Sequence, residues 1–490
     1  MKKFIGAIRK IAGCLFVFAF LTVGVVSVSS CAPKKSLCKY TVVAEYTPET
    51  STVVADMNFM YVNDTENEIS VLKFNIFPNA FREGAAYEPV SSVYRSVAYY
   101  DGESYGKIEI KDVSGAESWE ICGADENILA VKLPASVFPD ERVQLDISFV
   151  VTLAKVKHRT GVTEKVTNLG NFYPVLCAYE SDKGFYECVY YSDGDPFYSV
   201  CADYDVSFTV PAGYTAAASA NGKTSQKDGK VTYRYSLSSA RDFAIAVGNR
   251  FEVCSQTVNG VNVTYYYYED EKAQETLKTA CDALAYFSDS FGAYAYDDYS
   301  LVQTGFCYGG MEYPGMVLLS DALKREDYLY TVVHETAHQW WYSMVGNNQS
   351  EYAWMDEGLA EYSTLLFYEN HAEYGITREK IVHTALTEYK AYYSIYNQIF
   401  GESNTAMNRN LGTYVSEYEY VNLTYNKGVL LFDALREGIG DNRFFTGLKN
   451  YCAEYKYKEA VPDNMIACFR KTGVDVDGLF DSFLSGTAVI

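Results

Sequence analysis

The segment Thr331-Val332-Val333-His334-Glu335-Thr336-Ala337-His338-Gln339-Trp340 carries two histidines four residues apart with a glutamate directly after the first. In a helix, positions i and i+4 lie about 40° apart around the axis and about 6 Å apart along it, so both imidazoles project from one face. That spacing suits two nitrogen ligands of one tetrahedral Zn²⁺. Glu335 is turned about 100° from His334, which puts its carboxylate beside an open coordination position rather than on the ion. A carboxylate there can take a proton from water at the metal and return it to a leaving amine. HExxH is a short string, and it also occurs in ordinary buried helices. Two further facts weigh against that reading. The chain holds only five histidines, and eighteen residues separate His338 from Glu357 in Trp354-Met355-Asp356-Glu357-Gly358-Leu359-Ala360-Glu361-Tyr362. Two imidazoles and one carboxylate leave a fourth position open, as in a catalytic rather than a structural zinc site. Glu361, one turn after Glu357, is either an orienting partner of a ligand imidazole or a solvated helix charge. His371 and His383 have no ligand-like spacing.

Elements of two kinds must position these residues. From about Tyr40 to Cys254, short runs of period-two alternation are broken by Gly, Asn and Asp, as in Val53–Tyr61, Ile69–Phe77, Arg142–Val151 and Tyr204–Val210. This pattern predicts antiparallel sheet arranged as a sandwich. No catalytic constellation is evident there, and His158 between Lys157 and Arg159 reads as an exposed basic cluster. After a last β-like run at Val261–Tyr268 the period becomes helical, over 270–290, 326–345, 356–370, 376–398, 424–438 and 442–456. The fold class is therefore multidomain α+β, with a β-sandwich over residues 40–255 and a mainly helical domain over 256–490.

Composition sets the setting. The charge of -22 argues against binding nucleic acid or an anionic membrane surface, and 48% hydrophobic against 21% charged residues is ordinary for a globular chain. The 46 tyrosines fit half-buried pleated faces. Residues 1–30 read as an export leader: Lys2, Lys3, Arg9 and Lys10 head an uncharged stretch from Ile11 to Val28. The leader ends at Val28-Ser29-Ser30-Cys31, which resembles a lipobox with Cys31 as the lipidated residue, and residues 31–39 form a linker. Cleavage there moves the charge from -22 to -26. The alternative is an uncleaved membrane anchor; both place the catalytic part outside the cell. Of twelve cysteines, ten remain after Cys14 and Cys31, with no CxxC pair. Disulfides and free thiols are both open.

Upstream of the histidines, Tyr308-Gly309-Gly310-Met311-Glu312-Tyr313-Pro314 holds paired glycines, which let backbone approach a ligand closely. Together with the HExxH helix and Glu357, this segment resembles the aminopeptidase N family of zinc peptidases. In that family a Gly-x-Met-Glu-Asn segment precedes the zinc helix, and its Glu grips the α-amino group of the substrate. Glu312 matches that Glu, Gly309, Gly310 and Met311 match the substrate-lining backbone, and Tyr313 stands where the family has Asn. About ninety residues after His334, Tyr425-Asn426-Lys427-Gly428 matches a family segment whose Tyr steadies the oxyanion. Gly170–Tyr173, Gly194-Asp195-Pro196-Phe197 and Asp203–Val206 resemble the end of the family's β domain. The similarity runs from about residue 40 to 490 and is strongest over 300–430. It implies a thermolysin-like catalytic domain, one zinc ion, and peptide substrates with a free N-terminus. Two departures accompany it. The chain is expected to be a short form without the family's C-terminal helical domain, and no β-domain Gln or Glu for the substrate amine is identifiable. An open-groove endopeptidase or oligopeptidase, and a surface peptide-binding protein without turnover, are the rival readings.

Overall fold

The computed structural model describes residues 37–401 and 403–488, and residues 37–490 cluster as one compact unit. The expected leader (residues 1–30) and Cys31 lie outside the described residues. Among those described, no helix is long and apolar enough to cross a membrane.

The N-terminal half is built on a seven-stranded sheet in the order 223–227, 230–240, 202–211, 39–47, 52–62, 142–152, 107–114. Its strands alternate as the sequence predicts. In Ala202–Pro211 every second side chain is buried, because successive residues point to opposite faces. A four-stranded sheet (175–176, 69–75, 128–137, 118–122) contributes to the same core. Phe59 of the large sheet meets Phe74 of the smaller one edge to face at 5.1 Å. A further four-stranded sheet orders 215–218, 245–248, 166–169 and 160–162. The sandwich is not wholly antiparallel: Lys39–Thr47 runs parallel to Ala202–Pro211. A parallel pairing needs a long crossover, and here the rest of the β region supplies it, so local alternation could not reveal it.

The sheet that carries the site starts at Glu252. Strands 252–258, 261–267, 298–304, 316–320 and 310–311 lie in that order. The last, Gly310–Met311, pairs antiparallel with Met316–Ser320 and with no other strand among the described residues, which leaves its outer edge free. Helices Ala273–Phe291, Arg325–Ala337, Glu357–Asn370, Arg378–Phe400, Lys427–Ile439 and Asp441–Tyr455 follow the expected spans closely. The exception is 326–345, where the helix ends at Ala337. Residues 340–345 are buried and, apart from Ser343, apolar, which periodicity alone cannot tell from helix, and Tyr342 with φ of 146° is not helical. Two short helices, Pro462–Arg470 and Asp477–Leu484, complete the second core, which includes Phe287, Trp340, Trp341 and Leu365. The ten cysteines from Cys38 to Cys468 are all unbonded.

The basic cluster expected at residues 157–159 is not an exposed one. His158 is fully buried, with its ring against Phe81, Phe306 and Tyr308, and burial pushes its pKa well down. Arg159 is also buried; it pairs with Asp195 at 2.5 Å and donates to the Tyr190 hydroxyl at 3.3 Å. A charge is buried at tolerable cost only when paired, and the partner here comes from 36 residues away, out of reach of local reading.

Candidate metal centre and peptide cleft

The helix Arg325–Ala337 projects His334 inward, and His338 caps its C-terminus. Glu357 is the first residue of the next long helix, Glu357–Asn370. The two chain segments bring three donor atoms together: His334 Nε2 and His338 Nε2 lie 3.1 Å apart, and Glu357 Oε2 is 3.2 Å from each. The other ring nitrogens are occupied. His334 Nδ1 lies 2.9 Å from Glu361 Oε2, and His338 Nδ1 lies 2.9 Å from the Trp341 carbonyl. With protons on the Nδ1 atoms, three lone pairs converge on one point, an arrangement that a cation stabilises. Four-coordinate zinc with ligand bonds of about 2.0–2.1 Å places its donors roughly 3.3–3.4 Å apart, close to what is found. His334, His338 and Glu357 thus fit a metal ion.

The electrostatics point the same way. Burial opposes charge on His334, yet the Glu357 and Glu361 carboxylates outweigh it and lift the imidazole to about 10. His338 is likewise raised against burial, mainly by Glu357. Burial alone would raise Glu357, but the two imidazoles hold it well below the ordinary carboxylate range. The site thus calls for positive charge, and a dication can replace those protons. Glu361 proves to be the orienting partner rather than a solvated charge; its other oxygen accepts a short hydrogen bond from the Tyr330 hydroxyl.

Glu335 faces the cleft from the same helix, with Oε2 buried and without a hydrogen-bond partner. Burial pushes its pKa up, to about 8, despite the neighbouring imidazoles. Across from it is the free edge strand. A Cβ on Gly310 would stand 2.3 Å from Glu335 Oε1, so glycine is what lets the strand approach the carboxylate so closely. Gly309 and Gly310 line the cleft, while Met311 points away and is buried in the core. Glu312 is 3% exposed and accepts from Gln349 Nε2 at 3.1 Å; the same amide donates to Asp356 at 2.6 Å. Burial raises Asp356 to about 7. Tyr313, standing where the family pattern has Asn, sends its hydroxyl to Asn171 Oδ1 at 3.2 Å and so ties the segment to the β half.

Tyr425 sits in a π-helical turn, Asn422–Asn426, before the helix Lys427–Ile439. Such turns widen a helix locally and recur at functional sites. Its ring lies 5.9 Å from that of His334 at 23°, and burial, followed by the nearby Glu357, raises its hydroxyl pKa well above the usual value. All the expected site residues that can be located except Met311 therefore line one cleft of about 290 Å³.

Several residues escaped sequence reading. Gln349, which holds Glu312 and Asp356 together, carries no motif signal. Asp356 directly precedes Glu357 and could have been flagged by that adjacency. Asp195 lies in the Gly-Asp-Pro segment already noted and enters the cleft from the β half, paired with Arg159.

Comparison with known proteins places this geometry. Residues 275–483 match the Peptidase family M1 domain. A membrane alanyl aminopeptidase of Heliothis virescens is 25% identical over 175 residues, covering 34% of this chain and 16% of that protein. Leucine aminopeptidase 2 of Neosartorya fischeri is 22% identical over 351 residues, 67% of this chain and 54% of that protein. The chain spans less than a third of the length of the first curated relatives it matches (16%, 27% and 31%). In overall fold it is similar to an M1 zinc metallopeptidase of Deinococcus radiodurans, with a TM-score of 0.64 at 17% identity over 93% of this chain and 95% of that one. A variant of that Deinococcus enzyme was solved with a Tyr-Ser-Ala substrate, and gives a TM-score of 0.63 at 17% identity over the same shares of the two chains. The match over residues 275–483 and the likeness in fold together mark the chain as similar to peptidase family M1.

Proposed function

We propose that the protein is a zinc-dependent aminopeptidase that removes N-terminal residues from peptides. The observation that carries this reading is the convergence of Glu312, Glu335 and the three donor atoms in one cleft beside a free sheet edge. His334, His338 and Glu357 would hold one zinc ion, which would supply Lewis acidity toward the scissile carbonyl and toward water. Glu335 takes a proton from the attacking water and delivers it to the leaving amine. The Tyr425 hydroxyl donates to the developing oxyanion. The strand edge at Gly309–Gly310 lines the substrate main chain, and Glu312, fixed by Gln349, takes the α-ammonium group. Only a chain end carries that charge, so cleavage is exopeptidic. That a similarly folded Deinococcus enzyme was solved with a tripeptide substrate supports a peptide ligand.

Two measurements test the reading. Glu335→Gln is expected to abolish turnover while keeping one zinc per chain; a variant that still turns over refutes the role of the base. A free-amine peptide is expected to be cleaved and its N-acetylated twin spared; equal cleavage refutes the aminopeptidase. The leader-like residues 1–30 and Cys31 support export and lipid anchoring at the outer face of the cell membrane. Cys31→Ser is then expected to abolish labelling by a fatty-acid probe, and unchanged labelling refutes the anchor.

A further inference from the structure

Seven carboxylates line the cleft, and five of them have a task. Glu357 faces the metal position, Glu361 orients His334, Glu335 is the base, Glu312 is assigned to the α-ammonium, and Asp195 is neutralised by Arg159 at 2.5 Å. Asp193 and Glu417 remain. They come from segments more than two hundred residues apart, a loop of the β half and the first turn of the short helix Glu417–Val421, and they lie within electrostatic reach of each other. Neither has an ion-pair partner among the described residues; Ser91 and Ser192 serve Asp193, and Ser91 and Tyr94 serve Glu417, but Asp193 Oδ1 and Glu417 Oε2 are buried and each left without a hydrogen bond. Burial raises the pKa of each. A third oxygen in the cleft is also unpartnered. The Tyr420 hydroxyl belongs to a residue only 3% exposed and rests against Gly194, next to Asp193 in the chain. Buried acceptors left empty cost about 1–3 kcal/mol each, so a cluster of them facing a cavity marks the place of a missing donor.

The walls beside these oxygens are aromatic. Tyr94 and Tyr308 meet edge to face at 5.0 Å, and the Tyr308 hydroxyl is fixed by donating to the Ser192 carbonyl at 3.1 Å. Tyr308 directly precedes the Gly309–Gly310 edge. Rings and carboxylates lining one cavity suit a long aliphatic stem with a cationic head. Because the same cavity holds Glu312, the residue that bears the α-ammonium is the one whose side chain enters it.

We propose that Asp193 and Glu417, lining the same cavity as Tyr94 and Tyr308, form a subsite that selects Lys or Arg as the first residue of the peptide. This rests on the aminopeptidase reading and adds its substrate class. Arg159 does not oppose it, because Asp195 cancels its charge.

The test uses the zinc-loaded chain with Lys-, Arg-, Leu- and Ala-p-nitroanilide, alongside Asp193→Asn, Glu417→Gln and the double variant. The parent is expected to favour Lys and Arg over Leu in kcat/KM by at least about tenfold, and the double variant to lose about tenfold or more of that ratio. A parent that cleaves Leu as well as Lys overturns the subsite. So does a double variant in which all four substrates fall in the same proportion, since that reports structural damage alone. If no reporter is cleaved at all, the aminopeptidase reading fails instead. The subsite is then read by calorimetry with lysinamide and leucinamide: about tenfold tighter binding of lysinamide, lost in the double variant, upholds it, and equal binding overturns it.

Discussion

Gly358 and Gly428 meet backbone to backbone: a Cβ on Gly428 would stand 2.6 Å from Gly358 Cα, and one on Gly358 would stand 3.0 Å from the Thr424 carbonyl oxygen. Gly358 follows the candidate metal ligand Glu357, and Gly428 is the second residue of the helix that comes directly after the turn bearing Tyr425. The contact therefore sets how far the oxyanion donor lies from the metal position. Gly428→Ala must push the two helices apart, because the obstructing atoms are backbone and cannot rotate away. The expected cost is about 1–3 kcal/mol of stability, read as a lower urea midpoint, together with a fall in kcat larger than the change in KM. An unchanged midpoint and kcat would show that the close approach is not needed.

In the proposed zinc site, Glu361 acts on the metal through His334, whose Nδ1 lies 2.9 Å from its carboxylate. Glu361→Gln keeps a hydrogen-bond acceptor but removes the charge, and Glu361→Ala removes both. Zinc affinity, measured by chelator competition, is expected to fall about tenfold to a hundredfold in Glu361→Ala, with a smaller loss in Glu361→Gln. Equal affinities in all three proteins would mean that the 2.9 Å contact does no orienting.

For Tyr425, removal of one hydroxyl is enough. Tyr425→Phe retains the ring beside His334 and is expected to reduce kcat by about a hundredfold to a thousandfold, with little change in KM. An equal rise in KM would instead assign the hydroxyl to ground-state binding.

Lys427 supplies a prediction of pH dependence away from the metal. It is fully buried and donates to the Thr405 and Phe483 carbonyls at 2.6 and 3.2 Å, and burial lowers its pKa from 10.5 to about 8. The unfolded chain thus binds more protons than the folded one between about pH 8 and 10.5. Through this group the fold gains stability as pH rises across that window, by about 3 kcal/mol, and gains nothing more above it. Lys427→Met lacks the titrating group. The difference in urea stability between parent and variant is expected to shift in the parent's favour from pH 8 to 10.5, and a constant difference refutes the assignment.

Legibility from sequence followed the range of the interaction. His334, Glu335 and His338 were readable because the period of a single helix sets their relative directions, and Tyr204–Val210 read as a half-buried strand for the same reason at period two. Glu357 was readable as a third ligand from its place after the histidines, whereas Glu312 and Tyr425 were readable only through segments shared with a family, since each sits on a different element. The parallel pairing of Lys39–Thr47 with Ala202–Pro211 was out of reach, because register between distant strands is set by packing of whole faces.

What the sequence by itself determined was the candidate donor set, the candidate base and the change from β to helical architecture, all legible in periodicity, spacing and residue type. Tertiary structure alone decided that Glu361 meets His334, that Arg159 is buried against Asp195, that Gln349 holds Glu312, and that Asp193 and Glu417 line one cleft. These are juxtapositions of polar and charged groups far apart in the chain. Their energy depends on burial and on the partner's distance, and neither quantity exists until the elements have packed.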